Sequence, residues 1–408
     1  MPEFSDGMIA VDDALMNVLD GVNQLGTEDI SLAEAQGRIL SADISSRLTQ
    51  PPMAVSAMDG YAVKASDVAT VPATLTQIGE SAAGSGFDGK IETGQTTRIF
   101  TGAPVPEGAD AIVIQEDTEV SGDQVTMTES SPAGKFVRPA GLDFKVGETL
   151  LTAGTRLNSR NIALAAAMNV PWIKVTRQPR VAILSTGDEL VLPGEPLGPD
   201  QIISSNSLGL AAMVRANGGV PISLGIAKDD PVSLKGMLSS LSGADMLVTI
   251  GGASVGDHDL IKSVLGEEGL DITFSRVAMR PGKPLIFGKI SGIPMLGLPG
   301  NPVSAGVTAA LFLRPAINKM LGAADSSHRT ETALLGRDLV DNDKRQDYLR
   351  SSLSIADNGA LTATPFDRQD SSMLARFAEA QCLVIRAPFA KALSAGKRVE
   401  IIRLDGGF

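Results

Sequence analysis

At 408 residues the chain is too long for a single hydrophobic core and predicts several domains. Its 43% hydrophobic and 20% charged residues are ordinary for a globular protein, and a net charge of −12 argues against non-specific nucleic-acid binding, which needs a basic surface. The lone cysteine, Cys382, excludes an intramolecular disulfide and any multi-cysteine metal centre, and the two histidines, His258 and His328, exclude a histidine-rich one; a metal, if present, must be a hard ion held by oxygens.

No stretch approaches the ~20 apolar residues that span a bilayer, so no membrane association is expected. The N-terminal MPEFSDGMIAVDDAL lacks a basic region followed by an apolar core, so the expected location is cytoplasmic. Apolar positions in residues 8–20 recur at helical spacing, and Ser31-x-x-Glu34 reads as a capping box opening a second helix. After Pro51 and Pro52 the chain turns to short β-type runs, TLTQIG, TTRIF and AIVIQ, broken by Gly and Pro. Residues 145–157 read as a hairpin and 158–168 as an Ala-rich helix. If these rejoin the N-terminal helices, the β-rich part is an insertion.

From Arg180 onward strands alternate with helices. VAILS, VPISLGIA and MLVTI alternate with helices at 208–216 and 232–241; the pair LIFGKI and IPMLGL then precedes a helix at 303–313. This alternation predicts a doubly wound, mostly parallel sheet. The chain then becomes β again through TALLGRDLV, YLRSSLSI, ALTATPF, QCLVIRAP and RVEIIRL. The expected fold is a multidomain α/β protein. A discontinuous N-terminal α+β domain (1–45 and 145–178) carries an inserted β-rich domain (46–144). The doubly wound domain (179–326) and a C-terminal β-domain (327–408) follow.

Ligands of an open α/β sheet bind outside the carboxyl ends of its strands, and the unusual loops of residues 179–326 fall at that end. Thr186-Gly187-Asp188-Glu189 follows VAILS, Asp229-Asp230 follows VPISLGIA, GGASVGDHD follows MLVTI, and Leu298-Pro299-Gly300-Asn301-Pro302 follows IPMLGL. Strand, glycine loop and helix together aim backbone N–H groups at an anion. Singly, each loop has an ordinary explanation as a turn or cap; Asp229 and Asp259 also suit N-caps. Gathered on one rim, Glu189, Asp229, Asp257 and Asp259 suggest a divalent ion, most simply Mg²⁺, beside a phosphate-type ligand. Arg276, Arg280 and Lys283 add cationic donors. Met58-Asp59-Gly60-Tyr61 and Thr101-Gly102-Ala103-Pro104 are rigid loops in the inserted domain. Arg350, Gln369 and Ser371 are candidate anion donors further on.

Six motifs in this order, PPMAVSAMDGYAV (51–63), FTGAPVPEGADAIVIQE (100–116), STGDEL (185–190), GGASVGDHD (251–259), RPGKP (280–284) and LPGNPVSA (298–305), resemble the molybdopterin molybdenumtransferase family, to which the gephyrin E domain also belongs. The resemblance implies a homodimer, with residues 1–45 and 145–178 as its dimerisation domain and the active cleft in 179–326 completed by the inserted domain of the other subunit. It implies that adenylylated molybdopterin and molybdate give molybdenum cofactor and AMP with a divalent cation such as Mg²⁺. Molybdopterin adenylyltransferase and molybdoenzymes are the implied hand-over partners. Asp59, Thr101, Asp143, Glu189, Asp229 and Asp259 are the implied catalytic residues, of which Glu189, Asp229 and Asp259 hold the metal. Ser205, Gly251, Gly252, Ser254, Gly256, Arg276, Arg280, Lys283, Pro299, Asn301 and Pro302 are the implied substrate-binding residues, and Lys283, Arg350 and Ser371 the molybdate-side ones. Arg276 and Arg280 stand where some members have lysine, which keeps the charge but changes donor geometry. The alternatives are a molybdopterin adenylyltransferase, resembling residues 180–325 alone, and a non-catalytic dimeric scaffold.

Overall fold

The computed structural model describes residues 7–228, 230–251, 269–325, 329–356 and 359–404. Its centre is a six-stranded sheet in the order Val220–Ala227, Arg180–Thr186, Met246–Ile250, Ile293–Leu298, Ile286–Ile290, Leu270–Phe274. The first four strands run parallel. Ile286–Ile290 joins Ile293–Leu298 antiparallel, so the pair LIFGKI and IPMLGL lies side by side, and Leu270–Phe274, which the sequence reading did not name, is added antiparallel to Ile286–Ile290. Met246–Ile250 is buried at every position, which is why its sequence, Thr249 apart, is apolar with no alternation. Helices Asn206–Ala216 and Pro231–Leu238 supply crossovers. The helix expected over 303–313 is instead Pro302–Thr308, a π-turn Ala309–Leu313 and Arg314–Met320.

The first helix, Val11–Gly21, packs on this sheet and not in the N-terminal unit. Val11, Ala14, Val18 and Val22 share a core with Phe287, Leu313 and Ile317. The sequence division that gave all of 1–45 to the discontinuous domain is corrected at this helix. The remainder does pair across the insertion. Thr27–Ser31 lies antiparallel to Trp172–Thr176, and Ile44–Ser45 to Thr149–Leu151. Ile30, Leu40, Phe144, Leu157, Met168 and Val175 form their shared core. Two local expectations change here. Ser31 pairs with Trp172 at the end of its strand and makes no side-chain cap, so only a 3₁₀ turn, Leu32–Glu34, follows. The 145–157 hairpin gives way to pairing with Ile44–Ser45. By contrast Asn158 caps Ser159–Ala167 through a reciprocal box with Asn161.

The inserted part is a six-stranded sheet in the order Ala111–Ile114, Gly60–Val63, Gln95–Ile99, Ala73–Ser81, Gln124–Met127, Thr118–Ser121. The C-terminal strands order as Gln346–Ile355, Leu361–Pro365, Thr330–Leu335, Arg398–Arg403, Cys382–Arg386, and the last pairs back onto the first to close a barrel. Cys382 is buried inside it, as its apolar run predicts. The α/β domain lends the barrel a strand: Met279 and Arg280 pair in parallel with Gln346 and Asp347. Among the described residues no helix is long and apolar enough to cross a membrane.

Candidate active site

Three parallel strands end at one place. Gly251 follows Met246–Ile250 with φ +92°, and its N–H donates to the Leu298 carbonyl at 3.1 Å. A Cβ on Gly251 would stand 2.7 Å from the Thr186 carbonyl oxygen, so only glycine lets these strand ends approach. Gly251→Ala is therefore expected to cost about 1–3 kcal/mol of strain and to push the loops apart. Thermal unfolding measures this, and an unchanged melting curve would refute the close approach. Asn206 Nδ2 ties the third loop down by donating to the Gly300 carbonyl at 2.7 Å.

Outside these ends lies a chamber of about 920 Å³. Its α/β wall includes Gly187, Glu189, Ser205, Gly251, Lys283 and the run Pro299-Gly300-Asn301-Pro302; its opposite wall is Gln369-Asp370-Ser371-Ser372 of the barrel domain. The walls are joined by hydrogen bonds: Asn301 Nδ2 donates to Ser371 Oγ at 2.9 Å and the Val303 N–H to the Ser371 carbonyl at 3.1 Å. Helix Pro302–Thr308 presses so closely on the barrel that a Cβ on Gly306 would meet the Phe377 ring at 2.3 Å.

Arg350 lies immediately behind the second wall. Its Nη2 donates to the Asp370 carbonyl at 3.3 Å, and burial lowers its pKa to about 10, so it remains a cation at neutral pH. Gln369, expected as an anion donor, has both ends of its amide committed. Oε1 accepts from the Arg350 N–H at 2.9 Å, while Nε2 donates to the carbonyls of Arg350 and Phe366 at 3.0 and 2.9 Å. It fixes the backbone of Arg350. Asp370, which the sequence reading missed, accepts from the Ser372 hydroxyl and N–H, and these bonds hold its carboxyl below the usual range.

Two of the expected substrate-binding cations behave otherwise. Arg280 lines the chamber, but its guanidinium grips Asp347 with two hydrogen bonds and also reaches Asp343 and Asn342 at 3.2 Å, so its charge is spent joining the α/β domain to the barrel. Arg276 is not in the chamber wall; it precedes the buried Val277-Ala278-Met279 run, and its carbonyl accepts from the Ile9 N–H at 3.1 Å. Lys283 does line the chamber. Asp229, Gly252, Ser254, Gly256 and Asp259 lie outside the described residues.

Asp59 and Thr101 meet on the inserted domain, not in the chamber wall. The Thr101 N–H donates to Asp59 Oδ1 at 2.7 Å and its hydroxyl at 2.8 Å, and these two bonds, in that order, hold the exposed Asp59 carboxyl below its usual range. Asp143 borders a separate, largely apolar cavity of about 520 Å³ with Pro51, Met53, Gly102 and Arg138.

A doubly wound domain with a chamber at its strand ends, walled by a β-barrel and preceded by a β-rich insertion, is the domain arrangement to which three family descriptions match in chain order. The MoeA N-terminal region (domain I and II) matches residues 9–169, the probable molybdopterin binding domain residues 182–319, and the MoeA C-terminal region (domain IV) residues 332–404. The chain belongs to the molybdopterin molybdenumtransferase family. It is 38% identical over 391 residues to a protein of that name from Nostoc sp., covering 94% of this chain and 90% of that one. It is 34% identical over 398 residues to the Haemophilus influenzae protein of that name, covering 97% and 98%. A solved molybdopterin biosynthesis moeA protein from Pyrococcus horikoshii OT3 superposes with a TM-score of 0.84 at 27% identity, covering 97% of this chain and 100% of that one.

Proposed function

We propose that this enzyme of molybdenum cofactor biosynthesis transfers molybdenum from molybdate into molybdopterin presented in adenylylated form, releasing AMP and molybdenum cofactor. One observation carries the reading: the chamber has two chemically distinct walls, strand-end loops on one side and Gln369–Ser372 backed by Arg350 on the other. Both reactants are anions, and bringing them within bonding distance costs Coulomb repulsion that Lys283 and Arg350 offset. Ser371 Oγ already accepts from Asn301, which leaves its hydroxyl proton to donate to a molybdate oxygen. Gly251 and the Pro299–Pro302 run suit the pterin phosphate side. The dithiolene sulfurs of the substrate bind the metal, so a chain with one buried cysteine suffices.

A divalent cation such as Mg²⁺ fits in kind, because Glu189, Asp370 and the hydroxyls of Ser205 and Ser372 are hard oxygen donors on one chamber. Among the described residues no three His, Cys, Asp or Glu gather into a complete site. Glu189 would hold the ion together with Asp229 and Asp259. When bound, it would neutralise phosphate charge.

Asp59 and Thr101 act in this reading from a second copy of the chain, in a homodimer whose cleft is shared. A cytoplasmic location suits the reaction. The test is to incubate the purified protein with adenylylated molybdopterin, molybdate and Mg²⁺. AMP is expected to appear with molybdenum cofactor; chelation with EDTA is expected to stop release and excess Mg²⁺ to restore it. ATP consumption in place of AMP release would establish an adenylyltransferase, and turnover undiminished by EDTA would remove the ion. A scaffold requires none of these groups and predicts no AMP at all.

A further inference from the structure

Arg98 sits directly beneath the Asp59 loop. On the Gln95–Ile99 strand it pairs with Tyr61, and its guanidinium carbon is 5.1 Å from the Tyr61 ring centroid and 5.1 Å from that of Phe100. Only 4% of the chain is aromatic, yet two rings are placed here. Nη1 donates to the Gly60 carbonyl at 3.4 Å and Nη2 to Gln115 Oε1 at 2.5 Å. Gln115 returns to the same loop, its N–H donating to the Asp59 carbonyl at 3.1 Å. Thr101, which holds the Asp59 carboxylate, follows Phe100. The anchors of Asp59 on both sides thus pass through residues that Arg98 touches or that adjoin them.

We propose that Arg98, with Gln115 as its acceptor, is a positioning residue that fixes the Asp59 carboxylate for the reaction. The inference rests on the role given to Asp59 above. Arg98 also adds a positive field that favours the ionised carboxylate, after the larger effect of the two Thr101 bonds. Glu116, the neighbouring acid in the turn after Ala111–Ile114, is engaged by the Gln115 amide at 3.5 Å. A rigid, stacked, forked cation is a role lysine fills only in charge.

The experiment measures AMP release against pH for Arg98→Met, Arg98→Lys and Asp59→Asn, with a melting curve for each. Arg98→Met is expected to lower kcat about tenfold or more with little change in KM, because a displaced carboxylate loses reactive geometry. Its acid limb should move to higher pH, since Asp59 loses a favourable charge. Arg98→Lys should return the limb to its wild-type position while recovering only part of kcat. Wild-type kcat and an unmoved limb in Arg98→Met overturn the proposal, as does an equal loss in both variants with no movement of the limb, which is a purely structural effect. Should Arg98→Met not fold, Arg98→Lys decides: reduced kcat at an unmoved limb, with KM and the melting curve both unchanged, supports the proposal, whereas wild-type kcat, or a loss accompanied by a lowered melting curve, overturns it. An inactive Asp59→Asn beside a wild-type Arg98→Met defeats this inference alone, whereas a fully active Asp59→Asn defeats the reading on which it stands.

Discussion

Asp59→Ala is expected to slow molybdenum insertion by about 10²–10⁴-fold, the range lost when a positioned acid–base group is removed. The fold should survive. Asp59 is exposed and its carboxylate contributes nothing to a core; removing it returns the Thr101 N–H and hydroxyl to water, so the melting curve should barely move. A carboxyl held below its usual range is ionised throughout the neutral region, so the wild-type rate should not fall there through Asp59. The proposed sharing of the cleft between two subunits makes a sharper demand. Asp59 and Glu189 lie on different domains, and only Glu189 lines the chamber. Mixing Asp59→Ala with Glu189→Ala subunits should therefore recover about a quarter of the wild-type rate, because random pairing makes half the dimers mixed and each mixed dimer carries one intact cleft. Wild-type turnover by Asp59→Ala, or no recovery on mixing, would sink the shared cleft.

The parts of the fold legible in the sequence are those fixed by local chemistry. Met246–Ile250 announces itself because a strand buried on both faces is apolar at nearly every position, here all but Thr249, and Ile286–Ile290 with Ile293–Leu298 because a tight connection forces a hairpin. Asn158 caps its helix with groups only three residues apart. Ser31 shows the limit: the same local signal is overridden by Trp172, which captures it as the end of a strand. Val11–Gly21 is amphipathic wherever it docks, so its periodicity says nothing of which core receives it. The site divides in the same way. Glu189, Ser205, Gly251, Lys283 and the Pro299–Pro302 run were legible because strand-end loops converge by topology. The tie of Arg280 to the barrel was not legible because its partner Asp347 lies 67 residues on, nor was the commitment of Gln369, whose amide is occupied by the backbone of Arg350, 19 residues back. Neither separation leaves a periodic trace.

Arg280→Ala is expected to destabilise the protein by about 2–4 kcal/mol, with a dependence on pH that identifies the cause. Asp347 is only 4% exposed, and Arg280 covers its carboxylate with two charge-assisted bonds while pairing, residue against residue, along the edge of the barrel. Arg280 itself is partly exposed, which argues for the lower part of the range that applies to breaking a buried pair. Burial raises the Asp347 pKa even with Arg280 in place, against the lowering effect of that guanidinium. An Asp with a raised folded pKa binds its proton more tightly in the folded state. Stability therefore falls as pH rises from the unfolded pKa to the folded one, and levels off above it. Without Arg280 the folded pKa rises further and the window widens. The deficit of Arg280→Ala against wild type should thus be small in acid, grow with pH through the range just above the ordinary carboxylate pKa, and then plateau. Arg280→Ala/Asp347→Asn should recover much of the loss, because an amide at that position carries no charge to bury. Denaturant unfolding of both variants at several pH values measures the effect. A deficit of the same size at every pH, or no recovery in the double variant, would show that Arg280 acts by packing alone and not by compensating the buried carboxylate.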